Sequence, residues 1–173
     1  MKNNNSAKRE QEILEASLKA FAENGYYKTT TAHIATIANI SQPYVFKFFK
    51  TKEELFIASL NQAFDRIIQS FKNIESTKEN IVEDMIDVYE NISTTYPNEV
   101  CIQVVALSVT EENIQQTVRT GLLNIRSYVL DRFIAEGVSE AENEVTTFLS
   151  RGILCNISRF INAPELIDRS INW

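Results

Sequence analysis

The sequence predicts an all-α protein. Only 4 of its 173 residues are Gly and 3 are Pro, so few positions interrupt a helix. In most of the long segments, apolar residues recur three and four positions apart, which is the spacing of one helix face. Helix-start signals precede several of these segments, as where Thr51 stands before Glu53 and Glu54. With 44% hydrophobic residues, the chain can bury a substantial core.

The amino-terminal segment is predicted to form one long helix that ends at a glycine. After a polar start, which we expect to be unstructured, this helix should run from about Arg9 to Asn24. Gly25 can adopt the left-handed conformation that ends a helix, and Tyr26 should then pack in the core. The apolar face of the helix consists of Ile13, Leu14, Leu18 and Phe21.

Residues 30–52 predict two short helices joined by a tight turn. Thr30 or Thr31 can cap the first helix, because a hydroxyl there accepts a hydrogen bond from an unpaired first-turn N–H group. Asn39 tolerates the left-handed backbone that a sharp turn requires. Ser41 can then cap the second helix. The segment is therefore predicted to be a helix-turn-helix.

The second helix of this pair should have an inward and an outward side. It is predicted to reach about Phe49, with Pro43 in its first turn, where a missing N–H group costs nothing. Spacing predicts that the inward residues are Val45, Phe46 and Phe49, and that the outward residues are Gln42, Tyr44 and Lys47.

The outward side chains are candidates for contacts with duplex DNA. A groove-reading helix presents its first turn to base edges, where Gln pairs with adenine and apolar groups contact the thymine methyl. The candidate base-reading residues are Gln42, Pro43, Tyr44 and Lys47. The candidate phosphate contacts are Thr31, His33 and Lys52.

The charge distribution agrees with a nucleic-acid contact at one end of the chain. The net charge is −6. Residues 1–52 nevertheless hold 8 Lys and Arg against 4 Asp and Glu, whereas residues 53–173 hold 9 against 19. A basic amino-terminal region on an acidic remainder is typical of a protein that contacts DNA through one region only.

Residues 13–55 resemble the DNA-binding domain of TetR-like (tetracycline-repressor-type) transcriptional regulators. The matching segments, separated by Gln42, are ILEASLKAFAENGYYKTTTAHIATIANIS and PYVFKFFKTKEEL. Three positions depart from the usual pattern of the family, since Asn39 replaces a Gly, Phe46 a Tyr and Phe48 a His. The resemblance implies a helix-turn-helix DNA-binding domain over residues 1–52, which we call the head. It implies a helical effector-binding and dimerisation domain over residues 53–173, which we call the body.

The body is predicted to contain a linking helix and further long helices. The linking helix should begin at Thr51 and reach about Asn73, and a mostly apolar segment from Val100 to Val109 should lie in the middle of the body. The other predicted helices span about Glu79 to Thr95, Thr110 to Gly137 and Ser139 to Asn162, with a short last helix from Pro164 to Trp173.

The resemblance also implies a function and its partners. It implies a repressor that binds a palindromic operator as a homodimer and is released by a small hydrophobic or aromatic effector. The last two long helices of each chain would form a four-helix interface. The effector would bind between the linking helix and the next three, near Phe64, Tyr89, Tyr96, Gln103 and Phe133, although ordinary core packing also accounts for each of these residues.

Several function classes have no support in the sequence. No nucleophile, metal-ligand or glycine-rich phosphate motif is present, so we expect neither an enzyme nor a bound cofactor or metal. Cys101 and Cys155 are not arranged as a metal or redox motif and should be free thiols in a reducing cytosol. No apolar run is long enough to span a membrane, and we expect a cytoplasmic protein. The alternatives are a helical protein–protein interaction module and a DNA-binding regulator without an effector.

Overall fold

The computed structural model describes residues 2–167, with the side chains of residues 5–167. Within that range the chain forms eight α-helices and no strand, which confirms the predicted all-α class. The helices are α1 (Lys2–Lys28), α2 (Thr31–Ile37), α3 (Gln42–Val45), α4 (Lys52–Lys72), α5 (Ile81–Thr95), α6 (Pro97–Ala106), α7 (Glu112–Ala135) and α8 (Ala141–Phe160), followed by a 3₁₀ turn at Pro164–Leu166.

Aromatic rings from α1 in the head and from α4 at the start of the body pack against each other. The ring of Phe56 packs edge-on against Phe21, with centroids 4.7 Å apart, and against Tyr26, with centroids 4.9 Å apart. Phe21, Tyr26 and Phe56 are all buried, which confirms the prediction that Tyr26 packs in the core. Gly25 has a φ of 74°, so the helix breaks there as predicted and the chain bends to bring Tyr26 inward.

Helix α6 lies at the centre of the body. Helix α6 contacts α1, α4, α5, α7 and α8, which confirms that the apolar segment from Val100 to Val109 lies in the middle of the body. Helix α4 continues from the head into the body and packs along α7. At the far end of α4, Phe71 packs against Phe148 of α8, with centroids 5.7 Å apart. The head and the body therefore share α4 and meet through α1 and α6.

Three predicted helix starts are wrong. Helix α1 begins at Lys2 rather than near Arg9, because neither Gly nor Pro interrupts the polar start and Arg9 pairs with Glu12 one turn later at 2.6 Å. Helix α7 is capped by Glu111, because the Thr110 hydroxyl is engaged elsewhere. Helix α8 is capped by Glu140, whose φ of 51° carries the corner one residue past Ser139. The predicted end of the last helix at Trp173 lies outside the described residues.

Candidate nucleic-acid interface and effector cavity

Helix α2 and the turn after it have the predicted local geometry. The Thr30 hydroxyl accepts a hydrogen bond from the backbone N–H of His33 at 3.1 Å, which caps α2. Ile34 and Ala35 are buried and fix α2 to the core of the head. Asn39 has a φ of 54°, the left-handed conformation predicted for the turn. The turn therefore sets the direction of α3 relative to α2, which is anchored in the core of the head.

Helix α3 is one turn long and ends at Val45, so the prediction that it reaches Phe49 is wrong. Beyond it, Lys47 N–H bonds to the Tyr44 carbonyl and Phe48 N–H to the Val45 carbonyl, three residues back in each case. The backbone N–H of Lys50 already donates to a Glu54 carboxylate oxygen at 2.6 Å. The hydrogen bonds of Lys47 and Phe48 reach three residues back instead of four, which tightens the chain, because α4 begins a few residues later and the chain must turn to reach it.

This tightening also changes which phenylalanine faces inward. In a 3₁₀ turn the side chains at i and i+3 eclipse, so Phe48 aligns with the fully buried Val45. Phe48 is half-buried against the core, whereas Phe46 is 38% exposed. The prediction that Phe46 faces inward is therefore wrong. The predictions for Val45 and Phe49 are confirmed, since both are buried.

The candidate base-reading residues lie on α3 and on the turn that follows it. Gln42, Pro43 and Lys47 are exposed, and Tyr44 is half-buried with its ring packed edge-on against Phe48 at 5.6 Å. Lys47 places its ammonium 4.9 Å from the centroid of the Tyr44 ring. A tyrosine held by a ring on one side and a cation on the other is oriented without being removed from solvent.

Thr31 of α2 is linked to α3 by a direct bond. Gln42 Nε2 donates to Thr31 Oγ1 at 2.8 Å. The carbonyl oxygen of the Gln42 amide makes no hydrogen bond with Thr31. Gln42 is exposed and Thr31 is half-buried. Because the bond is exposed, exchanging it for a bond to another partner has a small net cost.

The remaining predicted phosphate contacts lie in different surroundings. His33 is exposed on α2. Lys52 is half-buried at the start of α4, where its Nζ donates to the Tyr26 carbonyl at 3.1 Å and lies 4.3 Å from the Tyr26 ring centroid. An ammonium has three N–H donors, so this bond leaves others for an anion. Burial, together with Glu111, Glu53 and Tyr27, raises the pKa of Tyr26 to about 12.

A set of hydrogen bonds that the sequence did not reveal ties the head to the α6–α7 loop. The exposed Tyr27 hydroxyl donates to Glu111 Oε2 at 3.0 Å, shares a bond with Thr110 Oγ1 at 3.1 Å and accepts from the Thr110 N–H at 3.2 Å. Next to it, Asn113 Nδ2 donates to Glu53 Oε1 at 2.8 Å. The position of the head is therefore coupled to the loop that follows α6.

A recess lies between α4, α6, α7 and α8, whereas the family resemblance places the effector between the linking helix and the next three, which include α5. It encloses about 40 Å³, within about 370 Å³ of atom-free space that includes open solvent. Phe64 packs on the backbone of α7 so closely that a Cβ on Gly121 would lie 2.2 Å from Phe64 Cδ2. The recess is lined by Phe64, Gln103, Val104, Leu107, Val118, Leu122, Ile153, Asn156 and Ile157.

A chain of buried polar side chains borders this recess. The Tyr89 hydroxyl donates to Asn156 Oδ1 at 2.6 Å, and Asn156 Nδ2 donates to Gln103 Oε1 at 3.4 Å. Gln103 Nε2 donates in turn to the Glu99 carbonyl at 3.0 Å. Burial raises the pKa of Tyr89 above its ordinary value of 10.0, so its hydroxyl stays protonated and remains a donor.

The five predicted effector residues do not all meet at the recess. Phe64 and Gln103 line it, and Tyr89 reaches it through Asn156. Tyr96 is exposed and stacks on the Arg66 guanidinium, whose central carbon lies 3.9 Å from the ring centroid. Phe133 is fully buried and packs against Phe148 in the core of the body, with centroids 6.1 Å apart.

Comparison with known proteins identifies the head. Residues 13–59 match the family model of bacterial regulatory proteins, tetR family. Residues 13–59 are therefore a DNA-binding segment of the tetR-family type. This match covers α2, α3 and the turn between them, together with the parts of α1 and α4 that hold them in place.

Relatives over more of the chain are regulators as well. An uncharacterized HTH-type transcriptional regulator of Bacillus subtilis, YhgD, is 25% identical over 83% of this chain and 79% of its own length. The fatty acid metabolism regulator protein of the same organism is 24% identical over 76% of this chain and 69% of its own. The fold is also that of the B. subtilis regulator FadR, solved in complex with stearoyl-CoA, with a TM-score of 0.68 and 15% identity over 90% of this chain and 94% of that one.

These comparisons establish the class of protein. With this segment and these relatives, the chain is an HTH-type transcriptional regulator and not an enzyme. Its helix-turn-helix is a DNA-binding domain. Between residues 2 and 167, no helix is both long and apolar enough to cross a membrane.

Proposed function

We propose that this regulator is a repressor that binds a palindromic operator as a homodimer and is released from it by a small-molecule effector. The observation that carries the proposal is the solvent-facing surface of α3 and the turn after it, with Gln42, Pro43 and Lys47 exposed on a basic head. We assign DNA binding to residues 1–52, and effector binding and dimerisation to residues 53–173. A regulator of chromosomal DNA would act in the cytoplasm.

We assign two roles to the DNA-facing side chains. Gln42, Pro43, Tyr44 and Lys47 would contact base edges, because they lie on the helix that enters the major groove or on the turn directly after it. Thr31, His33 and Lys52 would contact phosphates. On binding DNA, the Gln42 amide would exchange its bond to Thr31 for a base edge and leave the Thr31 hydroxyl free for a phosphate.

Exposed apolar side chains on α7 and α8 support the homodimer. Leu123 and Ile134 on α7, and Ile153 and Phe160 on α8, are each at least 42% exposed. Large apolar side chains concentrated on two neighbouring helices are typical of a surface that another protein covers. Packing α7 and α8 against their copies would give a four-helix interface with two-fold symmetry, which matches a palindromic site.

The position of the recess supports release by an effector. Gln103, Val104 and Leu107 of α6 line the recess, and the same chain segment continues into Thr110 and Glu111, which hold Tyr27 of the head. A ligand that displaces the end of α6 would therefore move the attachment point of the head. Because ligand binding shifts the equilibrium only by its differential affinity, the effector must bind better to the state that releases DNA. The FadR complex makes long acyl compounds reasonable candidates to test.

One observation favours a second candidate, a DNA-binding regulator without an effector. The cavity volume of the recess is only about 40 Å³, well below the roughly 300–1,000 Å³ of typical ligand pockets. The two candidates differ only in whether any small molecule changes DNA affinity, and the experiment below separates them.

Selection of duplexes from a random pool at fixed salt tests the proposal. We expect an inverted repeat whose half-site centres lie one helical turn apart, about 34–36 Å, or a multiple of that. Sedimentation of the selected duplex should show protomers bound in pairs. Adding lipophilic compounds, stearoyl-CoA among them, should release the duplex. A pool without an enriched sequence, or one protomer on a single half-site, would contradict the repressor model.

A further inference from the structure

We infer that the recess between α4, α6, α7 and α8 selects an effector that carries a neutral hydrogen-bond acceptor, such as a ketone or ester carbonyl, on an apolar chain or ring. This inference rests on the effector binding proposed above and specifies the chemistry of the ligand. Two observations carry it, namely the absence of ionisable groups among the lining residues and the direction of the hydrogen bonds at Asn156 and Gln103.

The lining residues offer no charge to a ligand. Apart from Gln103 and Asn156, all of them are apolar, including Val104, Leu107 and Val118. A carboxylate or ammonium placed among them would lose hydration without gaining an opposite charge. The recess therefore disfavours the charged forms of acids and amines, while a neutral ligand loses little on entering.

The buried amides leave N–H groups, rather than carbonyl groups, in need of a partner. The hydrogen bond from the Tyr89 hydroxyl fixes the orientation of the Asn156 amide. Asn156 Oδ1 accepts this bond, so Asn156 Nδ2 faces Gln103. Gln103 then accepts with Oε1 and donates with Nε2 to the Glu99 carbonyl. Each amide nitrogen has two N–H groups and uses one, so a second N–H remains on Asn156 and on Gln103.

A buried N–H group without a partner discriminates between ligands more strongly than a buried carbonyl with an unused lone pair. Both amide oxygens already accept one bond, and a carbonyl with one lone pair unused is tolerated better than an N–H without a partner. Both residues are more than nine-tenths buried, so bulk water does not readily satisfy these donors. A ligand acceptor would satisfy them, whereas a ligand donor would compete with the existing bonds.

The rim of the recess allows a ligand to enter and to enlarge the space. Leu107, just after α6, lines the recess and is exposed. Aliphatic side chains at a solvent-facing rim can change rotamer at low cost. The apolar part of the ligand would then occupy the side lined by Val118 and Leu122, with its acceptor directed toward the amides.

A ligand series of equal carbon number tests this inference on the full-length protein. We would titrate methyl pentyl ketone, heptane, heptanoate and heptylamine at neutral pH and follow binding by ligand-observed NMR. The ketone should bind about two- to twelvefold more tightly than heptane, the factor expected for one hydrogen bond of typical net strength. Heptanoate and heptylamine should bind more weakly than heptane.

Two variants locate the selectivity at the amides. Asn156→Leu and Gln103→Met should each lower the ratio of ketone to heptane affinity toward one. Gln103→Met keeps the side-chain length and leaves the Tyr89–Asn156 bond in place, so it decides the result if Asn156→Leu does not fold. Asn143→Leu, an exposed position on α8 outside the recess, should keep the wild-type ratio.

Three results would overturn the inference. They are equal binding of the ketone and heptane, binding of heptanoate or heptylamine as tight as that of the ketone, and no binding by any of the four. A gel shift on the selected duplex without ligand is measured in parallel. If specific DNA binding persists while the ranking fails, only the ligand inference is lost; if DNA binding itself is absent, the proposed function fails.

Discussion

The head and the body each contain hydrogen-bonded polar side chains, in opposite settings. In the head, Gln42 donates to Thr31 at an exposed surface, whereas in the body Tyr89, Asn156 and Gln103 are joined in the interior. Water can replace a lost partner only in the head. The exposed pair is therefore suited to exchange its bond for a DNA contact, and the buried chain is suited to hold a fixed geometry and to discriminate between ligands.

The largest expected effect is on the stability of the body. Asn156→Ala removes the acceptor of the buried Tyr89 hydroxyl, which should cost about 1–3 kcal/mol for the unsatisfied group, and the cavity left behind adds to this loss. Gln42→Ala breaks the exposed bond and should change stability by no more than about 0.5 kcal/mol. Urea unfolding measures both variants. Equal losses in the two would remove the distinction between the clusters.

The head should show its effect in DNA affinity instead. Gln42→Ala is expected to weaken binding to the selected duplex by about 1–3 kcal/mol and to relax the preference for one base, because a bidentate base contact is lost. Gel-shift titration against duplexes substituted at single positions measures both quantities. Gln115→Ala, an exposed glutamine on α7, is the matched control and should bind like the wild type. Unchanged specificity in Gln42→Ala would remove this residue from the base-reading set.

A phosphate contact in the head should behave differently from a base contact. Lys52→Ala is expected to weaken all duplexes alike and to reduce the slope of log affinity against log salt by about 1. Titrations at several salt concentrations on specific and random duplexes test this. Lys72→Ala, at the other end of α4, provides a control with the same change of charge. An unchanged slope would mean that the Lys52 ammonium stays with the Tyr26 carbonyl when DNA binds.

How far the sequence predicted the structure depends on the range of the interactions involved. The cap at Thr30, the stop at Gly25 and the left-handed Asn39 were predicted, because each is decided by residues within a few positions. The end of α3 was not, since it depends on the burial of Phe49 and on the bond from Lys50 to a carboxylate of the next helix.

The same distinction holds for the candidate sites. The exposure of Gln42 and Lys47 followed from helical spacing alone. Asn156 and Tyr27 gave no sequence signal, because their partners lie 67 and 83 residues away along the chain. Tyr96 and Phe133 are aromatic residues like Phe64, and only the packing of α6 and α8 shows that the recess is formed without them.

The smallest expected effect concerns a buried carboxylate near the junction of head and body. Glu99, at the start of α6, is bound by Arg66 Nε at 2.7 Å, yet burial outweighs the guanidinium and raises the pKa of Glu99 above its ordinary value of 4.5. A raised pKa means that the folded protein binds this proton more tightly than the unfolded chain does. The stability gained from protonation is therefore fully present below pH 4.5 and is lost as pH rises through the folded pKa.

Urea unfolding across this range should show the wild type gaining stability relative to Glu99→Gln as pH falls. Glu83→Gln, which removes an exposed carboxylate from α5, controls for net charge. A wild type that instead loses stability relative to Glu99→Gln on acidification would mean that the Arg66 ion pair, and not burial, dominates at this junction.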